Sequence, residues 1–168
     1  MNTGIQRSSA TPHGASTTTT PVGSVIAGQQ TYKKNVPAIV ADHEIPYVAT
    51  ASISYPFDYM AKIKKAMEAK GPSYIHVYSV CPTGWRSKPE IGIELGRLAV
   101  ETGVFPLYEV ENGLWRMTKT VKELKSVREY LKPQGRFRHL SDEVVDRIQE
   151  MITARYSALV HRCAAATS

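Results

Sequence analysis

The spacing of apolar and polar residues changes at about residue 35. Residues 1–34 contain a run of threonines from Thr17 to Thr20, several Gly and Pro residues, and almost no large apolar side chains. Such a stretch cannot bury a core of its own. We therefore expect residues 1–34 to form a loop or an extended lid that lies over another part of the protein.

From Val36 onward the pattern predicts alternating helices and strands. Met60, Ile63 and Met67 lie on one face of a predicted helix that begins at Pro56 and ends near Ala69. A nearly continuous apolar run at 74–80 predicts a strand covered on both faces, as in a parallel sheet. The same part of the chain predicts a short helix at 37–43, a strand at 47–50 and a helix from about 90 that ends at Gly103.

The pattern changes again after Gly103. Asn112-Gly113 separates two apolar runs, at 105–110 and 114–118, which predicts a β-hairpin. Two helices are predicted to follow, at 120–132 and 141–160. The fold class is therefore α/β, with an α/β part at 35–103 and a hairpin with a helical extension at 104–168. The coreless front end suggests half of a larger sheet.

Length and composition agree with one soluble domain. The chain has 168 residues, of which 42% are hydrophobic and 21% are charged, and this suits a single substantial core. Two cysteines make a disulfide framework improbable and indicate a reducing cytoplasm. No apolar run reaches the length of about 18 residues that predicts a membrane span.

The positive charge is concentrated near the C-terminus. From Arg116 onward there are 11 Lys or Arg against 6 Asp or Glu, whereas the whole chain carries a formal charge of +6. A solvated helical surface explains this pattern, and so does a surface that attracts an acidic partner. A stand-alone basic interaction module, for example one that binds nucleic acid, is disfavoured because the basic residues lack aromatic interleaving.

Two segments are candidates for chemistry, because ligands of open α/β sheets bind beyond the carboxyl ends of the strands. In the first, Asn2, Thr3 and Gln6 surround Gly4, so their side chains could hydrogen-bond a ligand that approaches the backbone closely. A disordered polar start is the alternative for this segment.

The second segment is the loop at 81–88, which begins with Cys81. An iron–sulfur cluster or a zinc site needs several such ligands, and Cys163 is the other cysteine of the chain. From this chain alone, Cys81 therefore fits a buried structural thiol. His76, on the strand before it, fits a core position better than a ligand position.

Several motifs together resemble a known family. MNTGIQRSSATP at 1–12 and CPTGW at 81–85 resemble segments of the β subunits of 2-oxoacid:ferredoxin oxidoreductases, a thiamine-diphosphate-binding family. The resemblance continues through YVATAS at 47–52, LAVETG at 98–103 and PLYEVENG at 106–113, in the family's order. It covers about residues 1–140, corresponds to the C-terminal part of the subunit, and is strongest to the pyruvate enzymes (pyruvate synthases).

The resemblance implies the second half of a thiamine-diphosphate-binding parallel-sheet fold and a set of site residues. Asn2 matches a residue beside the thiazolium and the substrate, which implies that its amide positions the substrate or an intermediate. Thr3 and Gln6 match neighbouring positions of the thiamine diphosphate pocket. Cys81 matches a ligand of the [4Fe-4S] cluster nearest the thiamine.

The resemblance also implies an activity and its partners. The expected reaction is the oxidative decarboxylation of pyruvate with coenzyme A to acetyl-CoA and CO2, with electrons passing through [4Fe-4S] clusters to ferredoxin. The expected partners are α, γ and δ-type subunits, with no nucleic acid and no membrane. A branched-chain 2-oxoacid or 2-oxoglutarate is the alternative substrate.

The family's Gly-Asp-Gly motif and other Mg²⁺ ligands, with three further cysteines, match positions before Met1. We therefore expect a truncated chain that is inactive alone.

Overall fold

A computed structural model of the protein describes residues 4–23 and 28–165. In chain order its elements are α1 (Val36–Ala41), β1 (Tyr47–Ser52), α2 (Pro56–Glu68), β2 (Ser73–Tyr78), α3 (Pro82–Trp85), α4 (Gly92–Glu101), β3 (Leu107–Glu111), β4 (Leu114–Lys119), α5 (Val127–Leu131) and α6 (Asp142–Ala165). Short 3₁₀ turns precede α4, at Pro89–Ile91, and follow α5, at Gly135–Phe137.

The four strands form one mixed sheet in the order β2-β1-β3-β4. β1 and β2 run parallel through the α2 crossover, so the predicted α/β class is confirmed. The hairpin is also confirmed, with Asn112 and Gly113 both at positive φ, as a tight two-residue turn requires. Its first strand pairs antiparallel with β1, so the hairpin extends the same sheet instead of standing apart from it.

The two faces of the sheet are covered differently. On one face, which we call the α6 face, Val48, Val110 and Trp115 pack with residues of α1 and α6. On the other, which we call the α2 face, α2 packs over β1 and β2 and approaches the charged side chains of Glu109 and Arg116. Alternation of side chains along each strand separates these two sets.

The prediction that the 74–80 strand is covered on both faces is wrong. β2 lies at the edge of the sheet, and most of its residues are half-buried or exposed, with Val77 37% exposed. Within the described part of the chain, β2 pairs with β1 along one edge, and its other edge is unpaired.

Helix α2 begins at Pro56 as expected, but its apolar face points outward. Phe57, Met60 and Met67 are 82%, 59% and 82% exposed, whereas Lys62 is 1% exposed. The Lys62 ammonium donates to the Thr50 carbonyl, to Asp58 Oδ2 and to Thr118 Oγ1, each at 2.7 Å. All three of its donors are therefore satisfied, which allows a lysine to replace an apolar residue beneath the helix.

The helix predicted at 120–132 is shorter than expected, because only Val127–Leu131 is helical. The preceding residues bond to other elements: the Val121 N–H donates to the Tyr156 hydroxyl, and the Lys125 N–H donates to the Glu101 carbonyl. Ser126 then caps α5 by accepting from the Arg128 N–H.

The main apolar cluster lies beyond the C-terminal ends of β1 and β2. It joins Leu95 and Val100 of α4 to Tyr130 of α5 and Ile148 of α6. Residues before α1 contribute to it, since Ala15 is fully buried there. No helix in the described ranges has the length and apolar character needed to cross a bilayer.

Candidate functional site

The N-terminal part of the chain around Gly4, which we call the front segment, lies directly against the loop that follows β2. Gly4 is buried, with a φ of +77°, and a Cβ placed on it would lie 2.3 Å from the carbonyl oxygen of Gly84. This is far inside van der Waals contact, so only glycine fits at position 4. Among the described residues Gly4 approaches the backbone at Gly84, and the close approach of a ligand to Gly4 stays a prediction.

Cys81 lies at the carboxyl end of β2, where the chain turns into α3. It is half-buried and packs against the main apolar cluster. Its carbonyl oxygen accepts a hydrogen bond from the Trp85 N–H at 3.0 Å, which fixes the turn at Pro82–Trp85. Cys81 thus lies three residues after β2, on the loop that contacts Gly4.

A buried arginine, Arg136, packs against this loop at Trp85. The Arg136 guanidinium is fully buried and stacks 3.9 Å from the centroid of the Trp85 ring. Its Nε donates to Gln134 Oε1 at 3.0 Å. Burial lowers the pKa of Arg136, and the neighbouring Tyr130, Tyr78 and Cys81 oppose that shift. Positive charge therefore lies next to the Cys81 loop.

The two cysteines lie in separate parts of the core. Cys163 is buried in the cluster of the α6 face, beside Tyr108 and Trp115, whereas Cys81 packs on the main cluster. A [4Fe-4S] cluster takes four thiolates. The chain has two cysteines, and no group of three or more His, Cys, Asp or Glu side chains forms a metal site among the described residues. One copy of this chain therefore does not fit a complete cluster.

A cavity of about 240 Å³ lies between the α6 face of the sheet and α6 itself. His76, Tyr78, Phe105 and Lys33 line it. Burial, followed by the charge of Lys33, lowers the pKa of His76 to about 4, so this ring is neutral at pH 7. His76 is thus half-buried on an edge strand and faces a cavity instead of a filled core.

The other candidate residues have mixed outcomes. Asn2 and Thr3 lie outside the described residues. Gln6 is exposed. Lys33, Arg136 and the cavity were not predicted from the sequence. The pair Lys33-Lys34 just before α1 was the sequence feature that could have indicated a positively charged cavity. Lysines are mostly exposed to solvent, so the pair did not single itself out.

The chain is similar to known proteins along almost all of its length. It is 57% identical over 159 residues to the pyruvate synthase subunit PorB of Methanocaldococcus jannaschii, covering 95% of this chain and 53% of that one. It is 47% identical over 179 aligned positions to PorB of Pyrococcus furiosus, covering 95% and 54%. It is 48% identical over 161 residues to the ketoisovalerate oxidoreductase subunit VorB of Pyrococcus horikoshii, covering 95% and 52%. No protein-family model matches the chain.

The structure describes part of an α/β domain in which Gly4 meets the loop after β2, at the carboxyl end of a parallel strand pair. Along almost all of its length the chain is similar to about half of the PorB and VorB subunits. It spans about half the length of the curated relatives that it matches.

Proposed function

We propose that this chain forms part of the β subunit of a pyruvate:ferredoxin oxidoreductase. In the proposed reaction pyruvate loses CO2 and two electrons, its acetyl group passes to coenzyme A, and the electrons pass to ferredoxin. The contact between Gly4 and Gly84 carries this proposal, since it brings the two family-like motifs to one place. The activity for which the PorB relatives are named agrees with it.

In this proposal the front segment binds the cofactor and the substrate. Bound thiamine diphosphate supplies the carbon nucleophile that makes decarboxylation possible. The amide of Asn2 orients the substrate by hydrogen bonding, and Thr3 and Gln6 line the thiamine diphosphate pocket.

Cys81 is proposed to bind one iron of a [4Fe-4S] cluster. Cys81 begins a turn that the hydrogen bond from the Trp85 N–H to its carbonyl oxygen holds, and a thiolate on an ordered turn suits cluster ligation. Because the chain has two cysteines, other polypeptide must supply the remaining ligands. We propose that this polypeptide also supplies the ligands of the Mg²⁺ on the diphosphate, and that the assembly contains α, γ and δ-type subunits.

The test is a Cys81→Ser substitution in the assembled complex. We expect the iron content and the electron paramagnetic resonance signal of one cluster to be lost, together with pyruvate-dependent ferredoxin reduction. The control is Cys163→Ser, which changes the other thiol in a different part of the core and should leave the cluster signal intact.

An Asn2→Ala substitution separates the two roles. It should lower kcat for pyruvate while the cluster signal remains, because Asn2 is proposed to contact substrate and not iron. Full iron content and full activity in the Cys81→Ser complex would refute the cluster assignment, and an unchanged kcat in the Asn2→Ala complex would refute the substrate assignment.

A branched-chain 2-oxoacid is the second candidate substrate, since VorB is 48% identical to this chain. The identity to PorB is 57% for the Methanocaldococcus jannaschii protein and 47% for the Pyrococcus furiosus protein, and the first of these values ranks pyruvate ahead. Turnover of the complete complex on pyruvate and on 3-methyl-2-oxobutanoate decides between them. We expect the higher kcat/KM on pyruvate.

A further inference from the structure

The cavity on the α6 face combines apolar walls with an excess of positive charge. Phe105, Ile148 and Ile152 contribute apolar surface to its walls. The charged side chains among its described lining residues are Lys33, Lys34 and Arg155, and none of these lining residues is Asp or Glu. The cavity therefore has cations without an acidic counterpart in its own described walls.

Of the three cations, Lys33 is the one whose ammonium lies over an aromatic ring of the cavity wall. Its Nζ lies 5.2 Å from the centroid of the Phe105 ring, over an apolar wall. Burial, and then the charge of Arg136, lower the pKa of Lys33. The aromatic face offsets part of the cost of removing an ammonium group from water, but a nearby anion would offset more.

The size of the cavity limits the ligand. A volume of about 240 Å³ holds roughly eight water molecules at about 30 Å³ each. This is room for a carboxylic acid with a short alkyl chain. A phosphate ester needs several N–H or O–H donors around its oxygen atoms, whereas these walls are mostly apolar.

We propose that this cavity binds a short-chain aliphatic carboxylate, with the carboxylate at Lys33 and the alkyl chain along Phe105 and Ile152. Burial of the alkyl chain supplies the hydrophobic part of the affinity. The ion pair with Lys33 supplies the counter-charge that the described walls lack. The site needs only this chain, so it stands or falls independently of the proposed oxidoreductase activity.

The test is a calorimetric titration of the full chain at pH 7 with hexanoate, acetate, 1-hexanol and inorganic phosphate. Acetate lacks the alkyl chain, hexanol lacks the charge, and phosphate has the charge without the apolar surface. We expect hexanoate to bind at least about 10-fold more tightly than each of the other three. Equal binding of hexanoate and hexanol, tighter binding of phosphate, or no binding of hexanoate would overturn the proposal.

A pair of lysine variants then locates the carboxylate. Lys33→Met keeps the length and the apolar part of the side chain, so hexanoate affinity should fall about 10-fold while hexanol affinity stays unchanged. Lys122→Met removes an exposed lysine that does not line the cavity and should change neither affinity. Circular dichroism of both variants checks the fold, and unchanged hexanoate binding by a folded Lys33→Met chain would contradict the assignment.

Discussion

The two faces of the sheet are packed with different kinds of side chain. On the α6 face, Trp115 stacks on Tyr108 with ring centroids 5.4 Å apart, and the guanidinium of Arg162 lies 3.7 Å from the Trp115 ring centroid. On the α2 face, the centre is Glu109, whose carboxylate accepts from the Tyr47 hydroxyl at 2.8 Å. One face is held by apolar contact and the other by ions and hydrogen bonds.

The charged face needs complete pairing to be stable. Glu109 is 2% exposed and accepts from Lys65 at 2.7 Å and from Arg116 as well as from Tyr47. Burial raises the pKa of the Glu109 carboxyl, but the hydrogen bonds from Lys65, Arg116 and Tyr47 outweigh burial, so the pKa is lowered overall. A buried ion that loses its partners destabilises a fold more than a lost surface pair does.

The comparison teaches that amphipathic spacing does not reveal which side of a helix is buried. α2 has an apolar stripe and a charged stripe, and the charged stripe faces the sheet because Glu109 and Thr118 accept its lysines there. α6 has the usual arrangement, with Ile148 and Ile152 facing the core.

The largest effect is expected for Trp115→Ala on the α6 face. Trp115 is 7% exposed, and its removal should lower the free energy of unfolding by about 3–5 kcal/mol because it leaves a cavity between Tyr108 and Arg162. Leu114→Ala is the matched control, since this neighbour is 61% exposed on the opposite face. Urea unfolding measures the free energy of unfolding of both variants. A similar decrease in the two would show that Trp115 is no more important to stability than its exposed neighbour.

Glu109→Ala tests the α2 face. It leaves Lys65 and the Tyr47 hydroxyl without their shared acceptor, so the free energy of unfolding should fall by about 3 kcal/mol. Glu111→Ala, on an exposed acid that accepts from Lys65 at 3.3 Å, should cost less than about 1 kcal/mol. A smaller loss for Glu109 than for Glu111 in the same urea experiment would show that the network contributes nothing.

The two faces should also respond to acid in different pH ranges. The pKa of His76 in the folded chain is about 4, below the usual value of about 6.5. The unfolded chain therefore binds a proton first, and stability should fall as the pH drops from about 6.5 to 4, by on the order of 1 kcal/mol because the ring is only partly buried.

Substitution at each position should remove only its own part of the pH dependence. The pKa of Glu109 is lowered in the folded chain, so its contribution is present above the unfolded value of about 4.3 and is lost as the pH falls below it. His76→Gln should flatten the stability curve between pH 6.5 and 4, and Glu109→Gln only below about pH 4.3. Thermal melts across pH 3–8 measure both, and an unchanged curve for His76→Gln would contradict the burial of its neutral ring.

The smallest effect is expected on the outer side of α2. Phe57 is 82% exposed, so Phe57→Ser should change the free energy of unfolding by no more than about 0.5 kcal/mol. Lys62→Met, five residues further along and beneath the helix, should cost about 1–3 kcal/mol because three acceptors lose their donor. A greater loss for Phe57→Ser would mean that the apolar stripe is buried after all.

Local signals predicted much of the fold. Asn112-Gly113 fixed the hairpin because its backbone geometry is a property of two neighbouring residues. The short α5 was missed because its boundaries depend on bonds to distant groups, such as the Tyr156 hydroxyl and the Glu101 carbonyl. The outward face of α2 was missed for the same reason, since its orientation depends on Glu109 in another strand.

The candidate site was predictable as motifs but not as geometry. The sequence motifs identified the Cys81 loop and the front segment, yet 80 positions separate Gly4 from Gly84, and no periodicity predicts that contact. Lys33 and Phe105 come from different parts of the chain, and only the folded structure brings them to one cavity.

The contact at Gly4 has a consequence for how this protein can change over time. The obstacle that a side chain would meet there is the peptide group of Gly84, which every amino acid possesses. No exchange at position 84 can therefore make space, and a compensating mutation would have to shift the backbone of the whole turn. Evolution can alter the residues on either side, but position 4 itself has a single permitted occupant.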